Sequence, residues 1–280
     1  MRRLLAVSAA FMVASILAAA PARAAEATFE RDLTVNGRVD LTVKTGSGSI
    51  HLTVGPAGHV HIFGRVKSNW RGTSEDVDYI AAHPPIEQTG NIVRIGVHEG
   101  HMQNTGIDYE IQAPPGSFLD AASGSGNVAD DGVGANAKLS TGSGSIHATG
   151  LQGGFSLQTG SGNIYAEQTG AGDVKAGTGS GSIELKNLRG GLRAETGSGN
   201  IKAAGTPIAP WRIQTGSGSV ELWTGNAALT LDAGTGSGNV HCDREIVSQG
   251  TVEHHHVKGN IGGGGPMVHV GTGSGNIRVH

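Results

Sequence analysis

Apolar and polar residues alternate in short runs along most of the chain, and the runs recur at a fixed distance. Between them stands a six-residue turn, T-G-S-G-[SN]-[IV], which begins at Thr45, Thr141, Thr159, Thr178, Thr196, Thr215, Thr235 and Thr272, with a serine-led copy at Ser123. From Ser123 onward, successive copies begin 18, 18, 19, 18, 19, 20 and 37 residues apart. Such self-similarity predicts a solenoid, in which each coil buries its apolar face only by stacking on its neighbours.

Each coil has room for two short strands and two turns, and side chains alternate across a strand. Inward positions are therefore expected four and two residues before each turn signature, at its last residue and two residues after it, as in Leu192, Ala194, Ile201 and Ala203. The positions between them are polar. The predicted fold class is an all-β β-solenoid with two short strands per coil of about 18–20 residues.

The turn residues predict how neighbouring coils join. Glycine is expected to supply positive φ at the corners, and the Ser or Asn at the fifth position to bond the backbone of the next coil. Cys242 occupies an inward place and is predicted to pack in the core. Asp130 also takes an inward place and is expected to mark an irregular edge of the first coil.

The region before the array is less regular but still rich in strands. Residues 25–120 are predicted to cap the N-terminal end of the array, which spans residues 121–280. Thr73 and Ser74, followed by Glu75 and Asp76, predict one short amphipathic helix within this cap. The cap and the array are expected to be continuous because no linker separates them.

The first residues have the order of a secretory signal peptide. Two arginines precede an apolar run and the small-residue site Ala22-Arg23-Ala24, which predicts a signal peptide over residues 1–24. The mature protein is therefore expected in the periplasm, on the outer surface or outside the cell. No later stretch approaches the length of a membrane-spanning helix, so the mature chain is not expected to span the membrane.

Together these features resemble a known family. A signal peptide, a strand pair ending in a turn, a short acidic helix, the strand at residues 109–116 and the repeated G-S-G-[SN]-[IV] coils are similar to the bacterial β-strand-repeat family of adhesin-like proteins. The resemblance covers nearly all of the mature chain. It implies an envelope or cell-surface role and brings with it no ligand, cofactor or catalytic residue.

Charge and cysteine content narrow the range of partners. Removal of residues 1–24 lowers the Lys and Arg count from 20 to 17 against 23 acids, so the net charge moves from −3 to −6. This balance disfavours nucleic acid as a partner. The single cysteine excludes an intrachain disulfide. No cofactor is expected, since the glycine turns precede strands rather than the helix of a phosphate loop and lack the aspartates of a calcium roll.

Two alternative functions have weaker support. A periplasmic metal-binding protein would use histidines, with His254 and His256 on one strand face and His98 and His101 close together in sequence. A carbohydrate-active enzyme, a polysaccharide lyase or hydrolase, would need paired acids on an outer face. The available column, Glu184, Lys202 and Glu221, separates its two acids by a lysine and is better explained as an alternating-charge ladder.

The favoured function is a noncatalytic adhesin or scaffold of the envelope, with one candidate binding surface. Lys175, Arg193 and Arg212 take equivalent outward positions on successive coils, and stacked like charges suit an anionic envelope polysaccharide. Another surface protein is the alternative partner. The last coil ends at His280 without a cap, so end-to-end self-association through the C-terminal coil is also expected.

Overall fold

The computed structural model describes residues 25–68, 73–96, 105–248 and 253–280. The predicted signal peptide, His98 and His101 lie outside the described residues. The described elements are one helix and 23 short or bent strands. They are β1 (Glu26–Thr34), β2 (Asp40–Thr45), β3 (Ile50–Val54), β4 (His59–Ser68), α1 (Ser74–Ala82), β5 (Ile86–Thr89), β6 (Ile92–Ile95), β7 (Thr105–Ala113), β8 (Ser117–Ser123), β9 (Val128–Asp131), β10 (Gly134–Thr141), β11 (Ile146–Leu151), β12 (Phe155–Thr159), β13 (Ile164–Gln168), β14 (Val174–Thr178), β15 (Ile183–Ser198), β16 (Ile201–Ser217), β17 (Val220–Trp223), β18 (Leu229–Ser237), β19 (Val240–Cys242), β20 (Val247–Ser248), β21 (His256–Ile261), β22 (Met267–Ser274) and β23 (Ile277–Val279).

The strands form a β-solenoid with two facing sheets, as predicted. The first sheet contains the strands before each turn, in the spatial order β5, β6, β2, β8, β10, β12, β14, β15, β16, β22, β18, β21 and β20. The second contains β1, β4, β7, β3, β9, β11, β13, β15, β16, β17, β23 and β19. The long strands β15 and β16 bend from the second sheet into the first. We call two strands at the same level of the stack, one from each sheet, a rung.

The core lies between the sheets and follows the predicted parity. Leu192, Ala194, Ile201 and Ala203 are all buried, and the equivalent residues of the other rungs join them in one continuous cluster. Cys242 is half-buried against this core, which confirms its predicted packing role. Burial raises the pKa of its thiol.

The N-terminal region adds an antiparallel extension to the second sheet. β1 pairs with β4, and β4 pairs antiparallel with β7, the outermost parallel strand. The predicted helix is confirmed as α1, which begins with a capping box: the Thr73 hydroxyl accepts a hydrogen bond from the Asp76 N–H, and the Asp76 carboxylate accepts one from the Thr73 N–H. Its buried residues Val77 and Ile80 face β1 and β4. The rungs of residues 25–120 share the core with those of the array.

Strand order departs from chain order at both ends of the stack. The rung β2/β3 lies between β6/β7 and β8/β9, and the last rung, β22/β23, lies between β16/β17 and β18/β19. The expectation that the C-terminal coil ends the stack is wrong, because β23 is paired on both sides. It therefore has no bare strand edge through which molecules could associate end to end.

The reversal after β19 explains this insertion. Residues 258–261 belong to β21, which runs antiparallel to β18 and covers its outer edge, with β20 beyond it. Positive φ angles at Gly262, Gly263 and Gly264 then turn the chain back. The next strand, β22, enters on the opposite side of β18.

Asp130 lies inside the second sheet, not at an edge as expected. β9 is paired on both sides, and Asp130 stands opposite Leu52 and Ala148 with no exposed surface. Its carboxylate accepts hydrogen bonds from the N–H groups of Val133 (3.0 Å) and Gly134 (3.3 Å). Burial raises the pKa of this carboxyl to about 6, although the two hydrogen bonds oppose the shift.

The turns are held by two ladders of side-chain hydrogen bonds. Ser and Asn at the fifth signature position bond the next rung, as predicted: the Asn163 N–H donates to Ser145 Oγ and the Ser182 N–H donates to Asn163 Oδ1. A second ladder is formed by the buried leading threonines. Thr159 Oγ1 donates to the Gly144 carbonyl of the preceding rung at 2.8 Å and accepts from the N–H of Gly162 within its own turn.

Most signature glycines are needed because neighbouring rungs pack closely at the turns, and not because the backbone there takes a positive φ. A Cβ on Gly144 would overlap the carbonyl of Gly126 in the adjacent rung, although the φ of Gly144 is ordinary. The expectation of positive φ at these corners is therefore wrong for most copies. Glycine is required because two turn backbones meet directly.

Within the described residues, the single helix is too short to cross a membrane.

Candidate functional site

The three cations that the sequence singles out lie side by side on the outer face of the first sheet. Lys175, Arg193 and Arg212 are exposed, and the parallel register places Lys175 opposite Arg193 and Arg193 opposite Arg212. We call this set the basic column. Because β22 inserts after β16, His269 rather than Asp232 is the next neighbour of Arg212. The inserted strand thus keeps an acid away from the end of the column.

Only part of the positive charge of the basic column is balanced by neighbouring acids. Arg193 pairs with Glu195 on its own strand at 2.7 Å. Among the described residues, neither Lys175 nor Arg212 has an ion pair. Arg212 has Arg193 and His269 beside it on the neighbouring strands and Pro210 and Gln214 two residues away on its own strand. Adjacent like charges are unfavourable in a sheet, so an anion bound here would relieve repulsion.

A shallow groove begins at the Lys175 end of the column. Its volume is about 370 Å³, and its lining includes Phe118, Asp120, Lys138, Gly154 and Lys175. Phe118 is an outward side chain with 49% of its surface exposed, and Lys138 lies 3.5 Å from Asp120. The groove therefore combines an aromatic surface with charged groups of both signs, which is a composition suited to polar ligands with apolar faces.

A larger groove lies beside Arg193, the middle cation of the column. It has a volume of about 910 Å³, and its floor includes Gly234 and Gly271, which leave the strand backbone uncovered. Arg193, Glu195 and Gln214 line one side and His255 and His256 the other. We call it the glycine trough. Sequence parity identified the basic column but missed both grooves, although the outward mid-strand glycines are a visible signal.

The second sheet carries the acids considered for an enzyme. Glu184, Lys202 and Glu221 stand in register on successive strands, and Arg278 follows Glu221 on the next. Lys202 Nζ lies 3.4 Å from Glu221, while Glu184 pairs with Lys186 at 2.8 Å. Both acids are thus engaged in ion pairs, and the column alternates in charge as a stabilising ladder does.

The same face carries a stacked aromatic pair. The rings of His147 and Tyr165 are 4.7 Å apart and nearly parallel, and the Lys186 ammonium lies 4.9 Å from the Tyr165 ring centre. Hydrogen bonds to Glu184 and Tyr165 raise the pKa of Lys186. These contacts link neighbouring rungs across the outer surface of the second sheet.

The histidine cluster near the C-terminus does not converge on one point. His256 Nε2 lies 2.7 Å from Asp232 of β18, while His255 contacts the Gly238 carbonyl. The hydrogen bond from His256 lowers the pKa of Asp232. His254 is exposed, and no described metal-ligand group joins it with His256. The His256–Asp232 contact instead fastens β21 to the rung that it covers.

A different cluster, which sequence reasoning missed, brings one histidine between two acids. His61 Nδ1 lies 2.8 Å from Asp32, and His61 Nε2 lies 3.4 Å from Glu30. The three possible ligand atoms are within 4.8 Å of one another. Both ring nitrogens of His61 already face carboxylates, so the histidine contacts both acids directly. Only the antiparallel pairing of β1 with β4 reveals the cluster, and that pairing has no local sequence signal.

Solved structures resemble the chain over most of its length at low identity. A putative adhesin from Bacteroides fragilis NCTC 9343 is 16% identical, with a TM-score of 0.40 over 91% of this chain and 97% of that chain. A putative cell adhesion protein from Clostridium sporogenes ATCC 15579 is 13% identical, with a TM-score of 0.25 over 90% and 99%. A putative adhesin from Parabacteroides distasonis ATCC 8503 is 10% identical, with a TM-score of 0.35 over 91% and 97%. No curated protein matches the sequence.

The family model described as Toastrack DUF4097 matches residues 35–280. This range begins just after β1 and includes every rung of the solenoid and both ends of the basic column. It confirms the expected membership in a bacterial β-strand-repeat family. The chain belongs to the Toastrack DUF4097 family.

Proposed function

We propose that the mature chain is a noncatalytic envelope protein that binds an acidic polysaccharide along the basic column. The observation that carries this proposal is the register of Lys175, Arg193 and Arg212 on three adjacent strands, with no described ion pair at Lys175 or Arg212. Strand spacing repeats the positive charge about every 4.8 Å. A polymer with a carboxylate on successive units can neutralise Lys175 and Arg212 and contact Arg193 between them.

The shape of the surface favours a polymer over a small ligand. The basic column crosses an open sheet face beside two grooves: its first cation, Lys175, lines the shallow groove that contains Phe118, and its middle cation, Arg193, lines the glycine trough. An extended chain lying across the strands would follow the column from one groove to the other. A small anion would use one cation and leave the others in mutual repulsion.

A scaffold or adhesion role is supported by the rest of the molecule. The predicted signal peptide at residues 1–24 favours export, where envelope polysaccharides are accessible. The acids Glu184 and Glu221 of the second sheet form ion pairs with lysines, which favours a stabilising role for them rather than glycoside chemistry. Stacked rungs with a continuous core produce a stiff rod suited to holding a partner at a distance.

Binding to defined polymers tests the proposal. Residues 25–280 are titrated with polygalacturonate, alginate and neutral dextran, using wild type, a Lys175→Gln, Arg193→Gln, Arg212→Gln variant and a matched Lys186→Gln, Lys202→Gln, Arg278→Gln variant of the second sheet. We expect salt-sensitive binding of an acidic polymer by wild type and the matched variant, with about tenfold or greater loss in the first variant. Equal, equally salt-sensitive binding by all three proteins would exclude the basic column as the site.

A further inference from the structure

Three outward glycines of the first sheet are required neither by a positive φ nor by close packing against a neighbouring strand. Gly271 in β22 has ordinary φ, and a Cβ there would meet no atom within 4 Å. At Gly234 in β18 a Cβ would make only van der Waals contacts of 3.5 Å or more, and at Gly177 in β14 the nearest atom would be 4.0 Å away. Glycine inside a strand costs stability and often marks a place where another group approaches the backbone closely.

These glycines share one column, parallel to the basic column. Gly177 lies between Gln158 and Glu195, and Gly271 and Gly234 are adjacent to each other beyond Gln214. Polar side chains in this column are therefore interrupted by two places where no side chain covers the strand backbone, which we call gaps. One gap is one strand wide, and the other, which is the glycine trough, is two strands wide.

Each gap adjoins a cation of the basic column. Gly177 lies two residues after Lys175 on the same face of β14, and a groove of about 420 Å³ lies over it, lined also by Gln158 and Ser140 of the next two strands. The glycine trough is lined by Arg193, whose guanidinium is held by Glu195. A group resting in either gap would lie beside a positive charge and between amide or carboxylate side chains that bond hydroxyls.

We propose that the two gaps are subsites for hexuronate rings of the acidic polysaccharide, an inference that rests on the proposed function. A pyranose ring can lie directly on an exposed strand backbone only where no Cβ intervenes, and there it gains dispersion contacts. Its carboxylate faces Lys175 or Arg193, and its hydroxyls face Glu195 and Gln214. The basic column thus supplies charge, and the glycine gaps supply the shape that selects a sugar polymer over other polyanions.

Substitutions that fill a gap but leave the basic column unchanged separate the contribution of shape to polymer binding from that of charge. Gly271→Ala and Gly271→Thr add increasing volume to the trough, Gly177→Thr fills the other gap, and Met267→Thr is a matched change at an outward position of β22 outside both gaps. All four should melt at or above the wild-type temperature. With purified oligogalacturonates as probe, we expect affinity to fall in steps from Gly271→Ala to about tenfold weaker in Gly271→Thr and in Gly177→Thr, with Met267→Thr unchanged. Inorganic polyphosphate, a polyanion without sugar rings, is the second probe, and its binding should fall less because it relies on charge.

The outcomes distinguish the two proposals. Folded Gly271→Thr and Gly177→Thr variants that bind oligogalacturonates like wild type, beside lost binding in the basic-column variant, would overturn the subsites and leave the proposed function standing. If Gly271→Thr fails to fold, Gly177→Thr alone decides in the same way. Wild type that binds none of the acidic polymers would overturn both proposals.

Discussion

Trp211, the largest fully buried side chain among the described residues, pairs in parallel register with Val268 of the last repeat. Along the chain, the copy of the repeat that follows Trp211 contains β18. In the sheet, however, β18 pairs with the other edge of β22, on the far side of Val268. The C-terminal repeat is therefore an internal rung, and both neighbouring rungs depend on it for their pairing and for burial of their apolar faces.

The inserted rung makes the C-terminus essential for stability. We expect Val279→Asp to lower the free energy of unfolding by on the order of 3 kcal/mol, because it places an unpaired carboxylate at a fully buried position between Leu222 and Cys242. Arg278→Ser on the outward face is the control and should cost less than about 1 kcal/mol. Thermal and urea denaturation of the mature protein measure both. Equal loss in the two variants would contradict the position of β23 inside the sheet.

The alternation of inward and outward side chains gives a second prediction, for the middle of the stack. Ile201→Asp introduces a charge at a position with no exposed surface, whereas Lys202→Asp changes an exposed neighbour. The first should destabilise the protein by several kcal/mol and the second by far less. Melting temperatures that fall together would refute the assignment of inward and outward faces.

The sequence predicts features that depend on adjacent residues or on the repeat, such as side-chain facing and helix capping. It does not predict which of several similar strands pair with one another. The parity of Ile201 and the capping box at Thr73 are readable because each depends on a few adjacent residues. The pairing of β16 with β22 is not readable, because every rung presents the same apolar columns and could stack on any other. The basic column follows from the period alone, but its extension to His269 and the glycine trough depend on that non-local pairing.

Asp130 should make stability depend on pH in the acidic range. Its pKa is about 6 in the folded protein against an ordinary value of 3.8, so the folded state binds the proton more tightly than the unfolded state. The stabilisation by this proton is complete below about pH 4 and is lost as pH rises through about 6. At roughly 1.4 kcal/mol per pKa unit, the loss is on the order of 3 kcal/mol.

Comparison with Asp130→Asn isolates this contribution. Urea denaturation of both proteins at intervals from pH 4 to pH 7.5 should show the wild type losing stability relative to the variant as pH rises. The difference in unfolding free energy should change most between pH 4 and pH 6 and level off above it. Parallel pH profiles for the two proteins would show that Asp130 does not titrate in this window.

The threonine ladder should tolerate serine but not valine. Thr159→Val keeps the shape of the side chain but leaves the Gly144 carbonyl and the Gly162 N–H without their partner, at a cost of about 1–3 kcal/mol. Thr159→Ser retains both bonds, as Ser123 does in the equivalent turn, where its hydroxyl donates to Gly48 and accepts from Gly126. Denaturation midpoints should therefore rank wild type and the serine variant above the valine variant. A valine variant as stable as the serine variant would refute the ladder's contribution.

Two glycines of the same protein should respond in opposite ways to the same substitution. Gly144→Ala places a methyl group against the Gly126 carbonyl, and that carbonyl cannot move away without breaking its hydrogen bond from Thr141 Oγ1 at 2.8 Å. The rungs must separate at this turn, so we expect a loss of roughly 3 kcal/mol or more of unfolding free energy. Gly271→Ala meets open space at an extended position and reduces the freedom of the unfolded chain, so it should be neutral or stabilise by about 0.4–1 kcal/mol. Melting curves of the two variants beside wild type decide the matter: similar destabilisation by both would mean that Gly271 serves the fold, and the structural reason for regarding its gap as a binding surface would be lost.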